Sequence, residues 1–529
     1  MNVSRLNKEL IQMKIFPADK VRIIDEYTIE NEPVASIDLM ERAASRLKDW
    51  FVRYYRIYRR VVVLAGPGNN GGDALAMARM LADRQYRIEC FLVNVSGKLS
   101  DDCSINLKRL EQQGLVGITS VSTTDDFPVI NREDVVVEGL FGSGLTRPAE
   151  GIFRELIRHI NSSVATVVAI DIPGGLFGED NSENDPDAIV KADHTLTFQF
   201  PFLSFFFAEN EQFTGRWSVL DIGLHPVIIE QTEARYTVTG RRQVAGLLPE
   251  RGKFAHKGTF GHALAIAGSS GMMGAALLTG EAVLRSGAGL VTLHVPRSGF
   301  RVVQTAFPEA VVSIDESEDI FSEPPGLDKF TAIAAGPGIG TEEESRMGLR
   351  NLLERVQVPL VLDADALNMI AANPDMVSLI PKRSILTPHP LEFDRIAGKS
   401  ADGWNRHKKQ IDFSVSHGVI IVLKGAYTGI SFPNGSYAFN TTGNPGMATG
   451  GSGDVLTGII VSLLAQGMSP INAAITGVYI HGLAGDFSAD RFGSESMIAG
   501  DIIRCLGEAF NHVKSNLFMH EGRSKEILP

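Results

Sequence analysis

The sequence predicts an α/β protein of two domains, each built on a parallel sheet with helices on both faces. Short continuous apolar runs alternate with amphipathic helical stretches, a pattern typical of strands that are buried on both sides. The alternation pauses after residue 226 and resumes at residue 262. Glycine supplies 53 of the 529 residues, and much of it lies in clusters directly after the apolar runs. Such clusters are typical of loops that approach a ligand closely.

The overall composition is that of a globular, acidic protein. Hydrophobic residues make up 44% of the chain and charged residues 21%, which excludes disordered, collagen-like and coiled-coil proteins. The formal net charge of −12 disfavours nucleic acid and anionic membranes as partners. Cys90, Cys103 and Cys505 lack metal-site spacing, so we expect reduced thiols and a cytoplasmic location. Residues 1–16 carry no secretory pattern, and no apolar run reaches the ~18 residues of a membrane span.

The predicted elements follow one another along both halves. In the first half, strands are predicted at 60–66, 86–93, 134–140, 164–170 and 194–200, and helices at 34–56, 74–84 and 152–160. In the second half, strands are predicted at 262–268, 290–295, 331–336, 359–364, 383–388 and 418–425, and a helix at 452–467. We interpret the polar stretch 227–245 as a connector, and the aromatic segment 200–207 as a core strand or a dimer surface.

The sharpest motif of the first half is the glycine loop at 66–73, which joins a predicted strand to a predicted helix. Backbone N–H groups at such a helix start can cradle an anion. The glycine spacing fits a dinucleotide-binding loop, but the strand at 86–93 is not followed by the acid that a dehydrogenase uses. A tight structural turn is the alternative, although the paired asparagines and Asp73 are too polar for a turn alone.

Two further polar loops follow predicted strands, at 138–148 and 171–176. Because the carboxyl ends of parallel strands share one edge of a sheet, we expect Glu138, Asp171 and Asp73 to converge there. An acid directly after an apolar strand is a candidate acid/base group. A helix cap or turn carboxylate is the structural alternative for Asp171.

The motifs GPGNNGGD, FGSGLTRP and AIDIPGGL together resemble the YjeF N-terminal domain, the NAD(P)H-hydrate epimerase family, over residues 20–225. The resemblance implies a Rossmann-like three-layer fold, a potassium ion, and interconversion of the R and S hydrates of NADH and NADPH. It implies Asp171 as the acid/base group and Asn70, Glu138 and Gly174 as the potassium site. The residues that it implies for substrate binding are Asn69, Asn70, Gly71, Gly72, Asp73, Gly142, Ser143, Gly144, Leu145, Thr146, Arg147 and Pro148.

The chain departs from this family pattern at three positions. Glu138 stands where the family usually has an aspartate ligand, Gly174 replaces the serine of D-I-P-S-G, and Phe202 lies near a common lysine. A backbone oxygen at Gly174 can still coordinate a hard cation. We therefore expect epimerisation that responds only modestly to potassium.

The densest motif of the second half is GNPGMATGGSGDVLTG at 443–458. Its glycines can point consecutive N–H groups at a phosphate, and the helix that starts there adds the positive end of its dipole. An aspartate at this position, Asp454, can take a proton from an attacking hydroxyl. The structural alternatives are a loop-to-helix cap for this segment and a packed turn for His389 in LTPHPLEF.

Together with GSSGMMGAA, GPGIG and DADALN, these motifs resemble the ribokinase-like superfamily, specifically the YjeF C-terminal NAD(P)H-hydrate dehydratases, over residues 245–512. The resemblance implies that ADP or ATP, with Mg²⁺, phosphorylates the C6 hydroxyl of the hydrate, and that loss of phosphate restores the nicotinamide ring. It implies Asp454 as the base and Gly338 and His389 as hydrate contacts. The residues that it implies for nucleotide binding are Lys424, Gly425, Ala426, Tyr427, Thr428, Gly450, Gly451 and Gly453.

Both halves thus point to one damaged metabolite, and the sequence predicts a bifunctional enzyme that repairs the hydrates NADHX and NADPHX. We predict an epimerase domain at 1–235, a dehydratase domain at 236–529, ADP as the favoured donor, and a homo-oligomer. Two alternatives stay open. One is a small-molecule kinase with a regulatory N-terminal module, and the other joins an active C-terminal half to a non-catalytic binding or dimerisation module.

Overall fold

A computed structural model describes residues 13–515, with the exception of Pro33 and Ser96. The chain divides into two compact units, with the boundary between Ala234 and Arg235. The expectation that no secretory pattern is present concerns mainly residues 1–12, which lie outside the described residues. The first described strand, β1, spans Met13–Ile15. In the described part of the chain, no helix is both long and apolar enough to cross a membrane.

The N-terminal unit is built on one parallel sheet. Its strands are β2 (Arg60–Ala65), β3 (Arg87–Val93), β4 (Gly117–Val121), β5 (Val135–Gly139), β6 (Thr166–Ile170), β7 (His194–Phe198) and β8 (Arg216–Leu220). They lie in the order β4-β3-β2-β5-β6-β7-β8, and each neighbouring pair is parallel. The order reverses between β2 and β5, which is the position where an open α/β sheet leaves a crevice at its carboxyl edge. The predicted parallel α/β fold is confirmed for this half.

Helices cover both faces of this sheet. They are α1 (Ala18–Asn31), α2 (Ser36–Tyr54), α3 (Asn69–Ala82), α4 (Asp101–Gln113), α5 (Gly151–Ser162) and two short ones, α6 (Glu211–Thr214) and α7 (Pro226–Gln231). Helix α3 begins at Asn69, five residues before the predicted start at 74, because the glycine loop itself forms its first turn. Apolar side chains from the two faces of the sheet form two separate cores.

The aromatic segment 200–207 is neither a strand nor a surface, so that interpretation is wrong. It contains a 3-10 turn at Leu203–Phe206, and its phenylalanines are at most 8% exposed. The Phe205 and Phe206 rings lie 5.7 and 5.5 Å from the ring of Trp217 in β8. The apolar side chains of this segment are already buried within the unit, against the neighbouring strand. The segment therefore gives no argument for oligomerisation.

The C-terminal unit is built on a larger sheet that is parallel except at one edge. Its strands are β9 (Tyr236–Val238), β10 (His262–Ile266), β11 (Leu290–Val295), β12 (Val311–Ile314), β13 (Ala332–Ala335), β14 (Leu360–Leu362), β15 (Ile385–Leu386), β16 (Ile420–Leu423), β17 (Gly429–Ser431) and β18 (Tyr437–Phe439). Together with β1 at one edge of the sheet, their order is β1-β9-β18-β17-β16-β15-β14-β13-β10-β11-β12. The pairs β16–β17 and β17–β18 are antiparallel. The order reverses between β10 and β13, so the loops after these strands flank the second crevice.

Helices again lie on both faces of this sheet. They are α8 (Arg241–Leu247), α9 (Met273–Arg285), α10 (Phe300–Ala306), α11 (Glu343–Arg355), α12 (Ala364–Ala372), α13 (Pro390–Ala397), α14 (Gly403–His417), α15 (Ser452–Ala465), α16 (Pro470–Phe492) and α17 (Ala499–Lys514). Helix α15 is buried along most of its length, which explains why its sequence is apolar on every side.

The predicted connector 227–245 is partly wrong, because its second part belongs to the fold of the C-terminal unit. Residues Tyr236–Val238 form β9, which pairs in parallel with β18, about two hundred residues further along the chain. Helix α8 follows directly and buries Val244 in the core. A three-residue strand is too short to show an alternating pattern, so only its distant partner reveals it.

Candidate active sites

A cavity of about 810 Å³ opens at the carboxyl edge of the N-terminal sheet. The carboxyl ends of β2, β5 and β6 deliver their loops to this edge, as the polar residues after these strands predict. The structure brings together in its lining seven of the predicted residues: Asn69, Asn70, Asp73, Gly142, Ser143, Gly144 and Asp171. The predicted residues Gly71, Gly72, Leu145, Thr146, Arg147 and Pro148 lie outside the lining. Phe202, at the third departure, is part of it.

The glycines of the 66–73 loop serve close packing. A Cβ at Gly71 would lie 1.9 Å from the Gly66 carbonyl oxygen, and a Cβ at Gly66 would lie 1.9 Å from that of Leu140. A Cβ at Gly72 would lie 2.8 Å from the Met40 sulfur. At Gly66 and Gly71 the close atoms are backbone, which excludes any side chain, so the structural alternative for this loop holds for these two glycines. The polar residues of the same loop face the cavity instead.

Asn70 is buried at the base of the cavity, with 6% of its surface exposed. Its side-chain amide donates to the carbonyl oxygens of Phe141, at 2.5 Å, and Ile170, at 2.9 Å. In the described part of the chain no group donates to its Oδ1. A buried oxygen without a donor costs free energy unless a ligand or cation approaches it, so Asn70 presents an oxygen to the site.

Asp171 follows β6 directly and turns back into the cavity. Its φ of +63° lies in the left-handed region, which aspartate tolerates better than most residues. The hydroxyl of Thr197 and the N–H of Phe198 each donate to Asp171 Oδ1 at 3.3 Å. Burial raises the pKa of Asp171 to about 6, against the opposing effect of these donors. The carboxyl group can therefore exchange a proton near neutral pH.

Glu138 and Gly174, two of the predicted potassium ligands, lie in contact behind the cavity lining. The Glu138 side chain is fully buried, and its two oxygens accept the N–H groups of Gly174, at 2.8 Å, and Leu140, at 3.2 Å. Burial nevertheless raises the pKa of Glu138 to about 7. The Gly174 carbonyl accepts the N–H of Val190 at 2.8 Å. One hydrogen bond thus joins the two residues, and their other oxygens already accept N–H groups from Leu140 and Val190.

The C-terminal unit gathers a second group of charged residues at its sheet edge. Lys424, directly after β16, donates to Asp363 Oδ1 at 2.9 Å and lies 3.9 Å from Glu392 Oε2. Asp363 follows β14, is 1% exposed, and also accepts the Thr457 hydroxyl at 2.8 Å. The carboxylates of Asp363 and Glu392 raise the pKa of Lys424, whereas burial lowers it. Lys424 therefore remains a cation in the site.

Asp454 lies in the first turn of α15, beside this cluster. Burial, followed by the charge of Asp363, raises the pKa of Asp454 to about 6, and Lys424 opposes that shift. Gly451 caps the helix with a φ of +89°, and a Cβ there would lie 2.5 Å from Leu278. A Cβ at Gly453 would lie 3.4 Å from the Lys424 ammonium. The glycines thus leave the helix start open to a ligand beside Lys424 and Asp454.

The remaining predicted residues of this unit lie on loops around the same edge. Gly338 has a φ of +63°, and a Cβ there would lie 3.2 Å from Ala275 and Met272. His389 caps α13, because its Nδ1 accepts the N–H groups of Leu391 and Glu392. The alternative of a packed turn therefore has structural support, although the His389 side chain is still 43% exposed. Gly425, Ala426 and Gly450 are exposed, while Tyr427 and Thr428 are half-buried.

Several polar or charged residues of the two sites were not among the predicted site residues. In the N-terminal cavity these include Asp102, on α4, and four residues of α1, Asp19, Arg22, Asp25 and Glu26. In the C-terminal unit they are Asp363, Thr457 and His481, whose Nε2 lies 3.4 Å from the Ser452 hydroxyl. Asp363 directly follows an apolar strand, so the rule that singled out Asp171 would have found it. In the described part of the chain, no group of three or more His, Cys, Asp or Glu side chains forms a metal centre.

Comparison with known proteins bears on both halves. A family model described as YjeF-related protein N-terminus matches residues 36–203, and one described as NAD(P)H-hydrate dehydratase matches residues 263–507. The bifunctional NAD(P)H-hydrate repair enzyme Nnr of Moorella thermoacetica is 34% identical, with 93% of this chain and 96% of that protein covered. The chain belongs to the family of bifunctional NAD(P)H-hydrate repair enzymes.

Further members of this family are similar over nearly the full chain. The repair enzyme Nnr of Escherichia coli is 31% identical, with 96% of this chain and 95% of that protein covered.

A crystal structure of the ADP/ATP-dependent NAD(P)H-hydrate dehydratase from Bacillus subtilis, co-crystallised with ATP and Mg²⁺, is 32% identical. The match covers 52% of this chain and 98% of the Bacillus subtilis chain, with a TM-score of 0.47. The predicted resemblance of both halves to this family is confirmed.

Proposed function

We propose that this chain repairs hydrated NADH and NADPH in two reactions, epimerisation by the N-terminal unit and nucleotide-dependent dehydration by the C-terminal unit. The observation that carries the proposal is that each unit has its own polar site at the carboxyl edge of its own sheet. Each site contains an aspartate with a pKa near 6, Asp171 in one and Asp454 in the other. Membership of the family supports the assignment of one reaction to each half.

In the N-terminal cavity, Asp171 exchanges a proton with the oxygen that the hydrate carbon bears, as the acid/base group. The polar residues of the lining, Asn69, Asn70, Asp73 and Ser143, hold the hydrate against it. Loss of the hydroxyl as water from one face, followed by addition of water to the other, interconverts the R and S forms. The dehydratase accepts one of these forms, so the epimerase makes the whole pool available to it.

A potassium ion fits this cavity in part. The orphaned Oδ1 of Asn70 is a suitable ligand for a hard cation, and Glu138 is a carboxylate within the same region of the sheet edge. Both Glu138 oxygens already accept backbone N–H groups, and the Gly174 carbonyl accepts that of Val190, so these residues offer fewer free oxygen positions. When bound, the ion would supply positive charge close to the substrate. We therefore keep the expectation that potassium stimulates exchange only modestly.

In the C-terminal unit, Asp454 takes the proton of the C6 hydroxyl as its oxygen bonds to the terminal phosphorus of the nucleotide. The N–H groups at the start of α15 stabilise the phosphate oxygens. Lys424 and the following residues 425–428 hold the nucleotide, and Gly338 and His389 contact the hydrate. Phosphate then leaves with the electron pair of the C6–O bond, and a ring proton is lost to restore the nicotinamide.

Mg²⁺ fits the carboxylates beside the glycine loop. Mg²⁺ is usually held by one or two carboxylates together with substrate phosphates, so a dedicated cage of three side chains is not needed. Asp365, whose charge is among the causes that raise the pKa of Asp454, is the acid that would hold the ion, while Asp454 keeps its role as the base. When bound, the ion would neutralise charge on the transferred phosphoryl group.

Recovery of NAD(P)H from a mixture of R and S hydrates tests the proposed function. The mixture is incubated with the full chain and either ADP or ATP, and the nicotinamide absorbance is followed to completion. Recovery of both epimers, at a rate above that of spontaneous R/S exchange, supports two active sites. Recovery of one epimer alone would leave the N-terminal unit as a non-catalytic module, and a stable phosphorylated product would indicate a small-molecule kinase. ADP as the better donor remains a prediction.

Three further expectations extend this proposal. We propose that the epimerase domain spans residues 1–235 and the dehydratase domain residues 236–529, close to the boundary between the two compact units. We also propose a homo-oligomer, which the resemblance to this family implies, and a cytoplasmic location. Size measurement of the purified chain and fractionation of cells test the last two.

A further inference from the structure

Helix α1 forms one wall of the N-terminal cavity and brings a carboxyl group to it. Ala18, Arg22, Asp25 and Ile29 all line the cavity. Their spacing of four, three and four residues places them on one face of the helix. On neighbouring positions the helix buries Ile24 and Thr28 against the unit. Asp25 is therefore directed into the cavity by the same packing that anchors the helix.

The Asp25 carboxyl group has no partner of opposite charge among the residues that the structure describes. No hydrogen bond or ion pair to it occurs in that part of the chain. Burial, followed by the negative charges of Asp171 and Glu26, raises the pKa of Asp25 to about 7. The charged groups that line the same cavity are Asp19, Arg22, Glu26, Asp73, Asp102 and Asp171. Asp25 thus sits in a site where one basic residue faces several acids.

Two buried polar atoms indicate that this space is made for a polar ligand. Asp73, which is 7% exposed, and Asn70 each have an Oδ1 that receives no hydrogen bond from the described residues. Both residues line the cavity together with Asp25 and Asp171. Buried oxygens of this kind are usually satisfied, so a bound molecule with hydrogen-bond donors is the simplest partner for them.

Inversion of a carbon that carries a hydroxyl group requires two proton transfers. First, an acid donates a proton to the hydroxyl, the C–O bond breaks with its electron pair on oxygen, and the ring nitrogen forms an iminium ion with the carbon. Water then adds to the opposite face, and a base removes its extra proton. One proton is given and one is taken, so atoms and charge balance without a further reactant. The chemistry needs one protonated and one ionised group on different walls.

We propose that Asp25 is the second acid/base group of this epimerisation, and that it works with Asp171 from a different wall of the cavity. This inference rests on the proposed epimerase function. Asp171 lies at the end of β6 and Asp25 on α1, so the two groups reach the substrate from separate elements. After one turnover the proton has moved from one carboxyl group to the other. The pair is then ready for the reverse reaction, which suits an enzyme that interconverts two forms.

The charges of the two carboxyl groups support this division of roles. The pKa of Asp171 is raised to about 6 and that of Asp25 to about 7. Between these values one group is ionised and the other protonated in most molecules, with apparent constants that belong to the pair. Exchange should therefore be fastest near this range and slower on either side, since a more acidic solution removes the base and a more basic one removes the acid.

The substitution Asp25→Asn in the full chain tests the proposal. We expect R/S exchange to fall by about 10²- to 10⁴-fold, the usual effect of losing an acid/base group. One limb of the pH profile should disappear, whereas dehydration of the S hydrate should remain at the wild-type rate. Asp25→Glu should recover part of the exchange. Glu30→Gln, an exposed change on the same helix, is the matched control and should leave the rate and the profile unchanged.

The stability of Asp25→Asn separates catalysis from folding. Removal of a carboxylate whose charged neighbours are mostly acids should leave the melting temperature unchanged or raise it. Exchange within three-fold of wild type, or a lower rate with an unaltered pH profile, would overturn the inference. If the wild-type chain exchanges the epimers and Asp171→Asn does not, the proposed function stands even when Asp25→Asn remains active. Absence of exchange in the wild-type chain would instead refute the proposed function.

Discussion

The Glu138 carboxylate occupies the space that a side chain at position 174 would need. Glu138 Oε1 accepts the Gly174 N–H at 2.8 Å, and a Cβ built on Gly174 would lie 3.0 Å from Oε2. The longer acid and the missing side chain are therefore complementary. The two departures from the family pattern act as one exchange, in which a glutamate reaches the space that serine vacates.

This relationship predicts non-additive effects on stability. Gly174→Ser alone should destabilise the chain by about 1–3 kcal/mol, the usual cost of overpacking. Glu138→Asp alone should cost about 1–3 kcal/mol, because a shorter acid leaves the buried Gly174 N–H without its acceptor. The double variant should cost less than the sum of the two. Urea unfolding of the four proteins measures these free energies, and additive costs would contradict the coupling.

The double variant Glu138→Asp/Gly174→Ser should also respond more steeply to potassium than the wild type. It restores a serine hydroxyl as an oxygen ligand and frees the acid from its contact with Gly174. Titration of R/S exchange with potassium chloride, against sodium chloride at the same ionic strength, gives the two curves. A steep potassium requirement of the wild-type chain would contradict the expectation that Glu138 and Gly174 bind the ion only weakly.

Substitution of Asp171 should stop epimer exchange and leave dehydration of the S hydrate intact. Asp171→Ala removes the carboxyl group, while Asp171→Asn also keeps a residue that tolerates the φ of +63°. Both variants should reduce exchange to the spontaneous rate, because the acid/base group is lost. Exchange is followed by chromatographic separation of the R and S forms. A rate clearly above the spontaneous one in both variants would refute the catalytic role.

Asp454→Asn should abolish dehydration, with a loss of about 10²- to 10⁴-fold in rate, while epimer exchange survives. The reason is that the two sites lie in separate units with separate sheets. Recovery of NAD(P)H from purified S hydrate with ADP or ATP measures the first activity, and R/S exchange in the same sample serves as the control for folding. Dehydration near the wild-type rate would remove the assignment of Asp454 as the base.

The rate of dehydration should rise with pH through a value near 6 and then level off. Burial and the charge of Asp363 raise the pKa of Asp454 to about 6, so below this pH the carboxyl group is protonated and cannot accept the hydroxyl proton. Above it the ionised form predominates. Single-turnover rates between pH 5 and pH 8 give the profile, and a flat profile would argue for another base. Any residual activity of Asp454→Asn should lack this rise.

Cleavage of the chain near residue 235 should give two folded pieces. Each unit has its own apolar cores, which supports independent folding. The cut must precede β9, because Tyr236–Val238 pairs with Tyr437–Phe439 in the C-terminal sheet. Circular dichroism and thermal melts of the separate pieces are the measurement. Failure of both pieces to melt cooperatively would contradict the two-domain interpretation.

Eleven of the observed strands could be predicted from the sequence in their correct order, whereas strands such as β4, β8, β12, β17 and β18 had no predicted counterpart. Most predicted strands lie within about two residues of the observed bounds, such as 60–66 against Arg60–Ala65 and 290–295 against Leu290–Val295. Buried parallel strands need continuous apolar runs, and this requirement is local, so it is written in a short stretch of sequence. The approximate position of each site follows in the same way, since acids and glycines after strands must lie at the carboxyl edge.

Only the tertiary structure decided which residues face one another across that edge. The strand pair β9–β18, the burial of segment 200–207 against Trp217, the arrival of Asp25 in the cavity, and the fit between Glu138 and Gly174 all join parts of the chain that are distant in sequence. Each of these contacts depends on the volumes of the side chains that pack together and on the burial of their polar groups. Local periodicity carries no information about such contacts, because the free energy that selects them arises only when the chain has closed around them.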